Sequence, residues 1–178
     1  MLLTRAEFMK KYAGTREAGA AGFWDGAQIV VNGAAELNQG FAEVMVHEFT
    51  HAIVTDLASR GAPRWLNEGF AENMRLSAVG TNGKLPPRER SLLSRLSHSG
   101  QLPKIAQLDA MHVGMGGDVR VAYALSGEAV RLLIDKRGYS EFLDMLRAMK
   151  RSGHPLQLIE KHFMPLDLLE KNLAEEFQ

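Results

Sequence analysis

His47-Glu48-Phe49-Thr50-His51 is the one H-E-x-x-H in the chain, a combination of residue types and spacing suited to a hydrolytic metal site. On a helix, residues i and i+4 share a face. Two neutral imidazoles one turn apart can therefore fill two corners of a tetrahedral Zn²⁺, while Glu48 projects close by without ligating. A zinc ion with one open position brings the acidity of the water it holds close to neutral pH. Glu48 is then placed to take that proton as a general base and to hand it to a leaving amine as an acid. The chemistry expected is metal-assisted hydrolysis, with one Zn²⁺ per chain.

A helix has to position these residues, and the sequence supplies one. From about Asn38 to Ser59 the apolar residues Phe41, Val44, Met45, Ile53, Val54 and Leu57 recur at helical spacing, Asn38 can serve as N-cap, and Gly61 follows as a stop. A second segment, Trp65-Leu66-Asn67-Glu68-Gly69-Phe70-Ala71-Glu72, begins just after Pro63, a favourable residue for a first turn. Trp65, Glu68 and Glu72 fall at i, i+3 and i+7, hence on one face. Glu72, one turn beyond Glu68, suits the task of accepting the outer N–H of a ligating histidine, His47. Gly69 costs about 1 kcal/mol inside a helix, which predicts close packing there against the first helix.

The pair HEFTH and WLNEGFAE resembles the gluzincins, the zinc peptidases related to thermolysin and aminopeptidase N, and is most like the short bacterial peptidase MA-like domains. The resemblance implies that Glu68, the glutamate of the Asn-Glu-Gly segment, is the third zinc ligand, and that Glu72 supports His47 from outside. Sixteen residues separate His51 from Glu68, somewhat fewer than in thermolysin or aminopeptidase N. In aminopeptidase N-like enzymes a Tyr at the beginning of a helix, followed closely by a Gly, donates its hydroxyl to the tetrahedral intermediate. The matching residue here is Tyr123, with Gly127 one place further on than in that pattern. A phenol aimed at the developing oxyanion is worth a few kcal/mol; a core tyrosine with a satisfied hydroxyl is the plainer reading.

The fold expected is α+β and zincin-like. A small N-terminal β-sheet lies over the H-E-x-x-H metal helix, and a mostly helical C-terminal half forms the other wall. At 178 residues and 46% hydrophobic content, without repeats, the chain reads as a single domain. Within it, about 1–76 is the zinc-binding half, about 77–118 a loop-rich cleft segment, and about 119–178 a helical half. Residues 23–32 read as a short hairpin turning at Asp25-Gly26. In gluzincins the strands before the metal helix border the cleft, so their edge would take a substrate peptide by β-augmentation; a covered edge strand is the alternative. Short helices are expected at Arg88 to Leu96 and Ile105 to Met111; His98 and His112 in this region are able to ligate metal or support an oxyanion, with surface histidines the favoured reading. A helix runs from Val119 to Arg137-Gly138. Others are capped by Ser140, opened by Pro155, and carried by the stripe Leu166, Leu169, Leu173 and Phe177. Ser126 and Arg131 are weaker candidates for the site.

Composition narrows the partners. Twenty-one basic and twenty-one acidic residues cancel, so nothing in the net charge calls for nucleic acid or an anionic membrane. No apolar run reaches the roughly 18 residues of a membrane span, and the first residues do not form a signal peptide. The chain reads as soluble as written, although peptidase MA-like domains often occur as pieces of longer secreted or membrane-anchored bacterial proteins. The absence of cysteine excludes thiolate ligands, which speaks against a deformylase site. Val54 and Leu57 stand where a metzincin needs Gly and His. The function expected is a zinc metallopeptidase acting on a peptide or protein substrate. The same residues are compatible with a zinc hydrolase of esters or acyl amides, or with a zincin-fold binding domain without turnover, which would have no use for Glu48.

Overall fold

Aromatic and β-branched residues flank Asp25-Gly26, and they fold as the expected hairpin. Strand β2 (Gly22–Trp24) pairs antiparallel with β3 (Ile29–Asn32), Trp24 opposite Ile29. The Asp25 carboxylate closes the turn by accepting the N–H groups of Ala27 and Gln28, both at 2.9 Å. The computed structural model describes residues 1–15, 17–33 and 37–178. Strand β1 (Leu2–Leu3), which the sequence pattern did not mark, adds in parallel to the far side of β3, so the order is β1-β3-β2 and β2 is an edge. Helix α1 (Arg5–Tyr12) starts at a Thr4/Glu7 capping box and packs Phe8 against Phe23.

Backbone alternation fixes what the β2 edge offers. Ala21 accepts from Asn32 N–H at 3.0 Å and Asp25 donates to the Gln28 carbonyl at 3.1 Å, so these residues turn toward β3. Gly22 and Trp24 lie between them in the alternation and direct their N–H and C=O groups outward. Helix α2 (Gln39–Ala58) packs against this strand. Its N-cap is Asn38, whose side chain accepts the Phe41 N–H at 3.0 Å, and it ends within a residue of where the apolar periodicity stops.

Helix α3 (Arg64–Ala78) follows Pro63 and packs against both α2 and the long helix α6 (Val119–Met149). Gly69 serves the second of these contacts rather than the first. A methyl group at this position would overlap the Ser126 carbonyl oxygen and lie 2.9 Å from Val130 Cγ2, both on α6. The reason is helical geometry: consecutive residues point about 100° apart, so when Glu68 faces α2 its neighbour faces away from it.

The segment between α3 and α6 holds the two short helices expected there, α4 (Pro87–His98) and α5 (Ile105–Met111). Helix α6 breaks at Gly138, where φ is 80° and ψ 168°, a left-handed backbone that a residue with Cβ adopts only under strain. Helices α7 (Pro155–His162) and α8 (Leu166–Glu176) complete the chain. The core gathers Leu66 and Phe70 of α3, Leu125, Leu133, Phe142 and Met145 of α6, and Leu169 and Leu173 of α8. The described residues are thus α+β and mostly helical, and none of their helices is long and apolar enough to cross a membrane.

Gly69→Ala should destabilise the protein by about 2 kcal/mol or more, because the added methyl meets backbone that cannot yield locally. Gly153→Ala, where a Cβ meets nothing within 4 Å, should stay within about 0.5 kcal/mol of wild type in the same urea titration.

Candidate metal centre

One turn of α2 brings His47 and His51 into an edge-to-face pair with ring centroids 4.7 Å apart. His47, Glu48 and His51 offer ligand atoms that lie within 4.8 Å of one another, and this group could hold a metal ion. Helix α3 brings a fourth donor. Oε2 of Glu68 lies 3.6 Å from His47 Nε2 and 3.4 Å from His51 Nε2. Bonds of about 2.0–2.2 Å to a tetrahedral ion put its donors about 3.3–3.6 Å apart, so these spacings match two edges of such a tetrahedron. Glu68 is only 8% exposed, and its Oε2 has no hydrogen-bond partner among the described residues. A buried carboxylate oxygen facing two imidazole nitrogens is an arrangement that could accommodate a cation.

Each imidazole is held from its far side. His51 Nδ1 meets Asn67 Oδ1 at 3.0 Å. That oxygen only accepts, so in the neutral ring Nδ1 carries the proton and Nε2 presents its lone pair to Glu68. His47 Nδ1 faces Glu72 Oε2 at 3.8 Å, longer than a hydrogen bond. Arg75 holds both oxygens of Glu72, at 3.0 Å from Nε and 2.5 Å from Nη2, and reaches Glu43 on α2 at 2.6 Å. Glu72 is therefore clamped behind His47 by an arginine that also ties α3 to α2. Burial opposes a charge on Glu68, but the facing imidazoles of His47 and His51 outweigh it and hold its carboxyl far below the usual range. For His51, burial works against the charged ring. Glu68, then Asn67 and Glu48, more than compensate, and its pKa lies above the ordinary imidazole value.

Glu48 is not free to turn toward the histidines at will. Its Oε2 accepts the Trp24 N–H of the β2 edge at 2.6 Å, a link between sheet and helix that requires Trp24 to face outward. Gly22, Trp24, Glu48, Glu68, Arg64 and Tyr123 are among the residues lining a cavity of about 500 Å³ that opens on the two histidines. No family model, curated protein or solved structure matches the chain. What the site can do rests on its own donors: two imidazoles, a buried carboxylate and a second carboxylate held beside a strand edge. A second cavity of about 460 Å³, near the α2–α3 turn, includes Asp109 and Glu170, but these are bonded to the backbone N–H groups of Trp65 and Ile105.

The remaining candidates separate clearly. Tyr123 is half-buried on the cavity wall, its ring centroid 6.3 Å from that of His47. His98 is exposed and bonds the Ser94 carbonyl within its own helix. His112 is not a surface residue as expected: it is 1% exposed, because α5 folds back onto α6 and carries the ring into the core. Its Nε2 lies 3.0 Å from Ser126 Oγ and its ring meets Tyr123 edge-to-face at 4.7 Å. Arg131 pairs with buried Glu128, with Asp135 and with Glu176, and none of these lines the cavity of the histidines. Asn67 and the Trp24 amide went unassigned in the sequence. Asn67 stood inside a segment already singled out, whereas the amide could be found only from the strand register.

Removing the Asn67 oxygen should weaken metal binding by about 10–100-fold. Asn67→Leu is the variant to titrate against a chromogenic chelator. Arg120→Ala, which breaks only an exposed ion pair with Asp118, should bind metal as the wild type does.

Proposed function

We propose that this protein is a zinc-dependent metallopeptidase of the gluzincin type, with His47, His51 and Glu68 as ligands of one Zn²⁺ and Glu48 as general base. The observation that carries this reading is the convergence of two imidazole nitrogens on the buried, unbonded Oε2 of Glu68. Glu48 is the less suitable third ligand because its Oε2 is committed to the Trp24 N–H, an arrangement that suits a base held beside the metal. When bound, zinc supplies a Lewis acid that polarises the scissile carbonyl and acidifies the attacking water.

The chain's own groups do the rest. Trp24 N–H orients the Glu48 carboxylate, which takes a proton from water as the water oxygen bonds to the carbonyl carbon. Glu48 then delivers that proton to the amide nitrogen as the C–N bond breaks, which leaves an acid and an amine. Tyr123, which also lines the cavity, is the donor to the developing oxyanion. The outward groups of Gly22 and the Trp24 carbonyl border the cavity and suit an extended peptide main chain, so the substrate is a peptide bound as an added strand. Asn67 fixes the ring of His51, and Glu72, held by Arg75, stands 3.8 Å behind the ring of His47.

Metal content by mass spectrometry, read beside cleavage of a mixed peptide library, tests this. The wild type should hold about one Zn²⁺ per chain and cleave, and Glu68→Ala should lose both. Glu48→Gln should keep its zinc while cleaving about 10²–10⁴-fold more slowly. A zinc-loaded wild type that cleaves no peptide, or a Glu48→Gln variant as fast as wild type, would refute the proposal.

A further inference from the structure

We propose that His112 is a positioning residue of this site, one that fixes Tyr123 at the cavity wall from behind. At 1% exposure His112 has no access to substrate, and it does not line the cavity that Tyr123 lines. It reaches the site through two contacts on α6. Its ring stands edge-to-face against Tyr123, with centroids 4.7 Å apart and planes at 86°. Its Nε2 is 3.0 Å from the hydroxyl of Ser126, one turn beyond Tyr123 on the same face and itself fully buried.

A purely structural filler would not need these polar groups. A phenylalanine occupies a similar volume without the cost of taking an imidazole and a hydroxyl out of water, and the 3.0 Å bond only offsets that cost. What the bond adds is direction. It locks the rotation of the imidazole, and the locked edge then confines the Tyr123 ring, whose other side faces the cavity. The same turn of α6 touches the ligand helix: the Ser126 carbonyl abuts Gly69, and Gly127 lies against Glu72, where an added methyl would be 3.1 Å from Cγ. His112 thus holds the stretch of α6 that backs both the phenol and the carboxylates of α3. As C-cap of α5, with its N–H bonded to the Leu108 carbonyl at 2.9 Å, it is itself fixed to a helix end. The catalytic consequence rests on the metallopeptidase reading; the positioning of Tyr123 does not.

The test is a double-mutant cycle on the zinc-loaded protein, joined to a readout independent of turnover. His112→Phe should keep zinc and KM, within about twofold, while kcat falls roughly tenfold, the mark of a misplaced group that acts in the transition state. Combined with Tyr123→Phe it should add no further loss, since its effect passes through the phenol. With tyrosines ring-labelled for NMR, of which there are three, Ser126→Ala and His112→Phe should move the Tyr123 signals and leave those of Tyr12 and Tyr139 in place. Rate losses that multiply in the double variant, or Tyr123 signals unmoved in Ser126→Ala, would overturn the proposal. If His112→Phe unfolds at the assay temperature, Ser126→Ala carries both arms. If the zinc-loaded wild type cleaves no peptide, the peptidase reading fails, and the tyrosine signals still decide the positioning.

Discussion

An ionised carboxylate removed from water costs several kcal/mol unless opposite charge or hydrogen bonds meet it. Glu68 is buried, its Oε2 accepts no hydrogen bond among the described residues, and the Nε2 atoms of His47 and His51 face that oxygen. Against the cost of burial, the facing imidazoles hold Glu68 far below the usual carboxylate range, and Glu68 with Asn67 and Glu48 raises His51 above the ordinary imidazole value. A divalent ion satisfies all three atoms at once. The spacing of helices α2 and α3 suits the shared ion proposed above, and Arg75 ties the two helices by bonding Glu72 of one and Glu43 of the other.

The other elements serve that pairing. The β2 edge lies against α2 and holds Glu48 through the Trp24 amide. Helix α6 approaches α3 so closely that Gly69 has no room for a side chain, and the same contact brings Tyr123 to the cavity. The sheet, α2, α3 and α6 thus all border the cavity, while α4, α5, α7 and α8 add no described residue to its lining.

Much of this was legible in the sequence because it is local. The i, i+4 spacing of His47 and His51 and the cap at Asn38 placed α2 almost to the residue, and Asp25-Gly26 placed the hairpin. Glu68 and Glu72 share a helix face by spacing alone, and both do stand near the histidines. What escaped was set by contacts distant in sequence. Nothing around His112 announces burial; a Gly-rich loop follows it, and only the packing of α5 on α6 takes it inside. Gly69 signalled a close contact without saying with which helix, and the partner proved to be α6. Strand β1 is two residues long, too short to carry an alternation.

The most direct test of the shared-ion geometry is anomalous diffraction at the zinc absorption edge, from crystals of the wild type grown with zinc. We expect one peak at about 2.0–2.2 Å from His47 Nε2, His51 Nε2 and Glu68 Oε2, with Glu48 beyond bonding distance and still on the Trp24 amide. A peak bonded to Glu48 in place of Glu68, or no peak between the two helices, would contradict it.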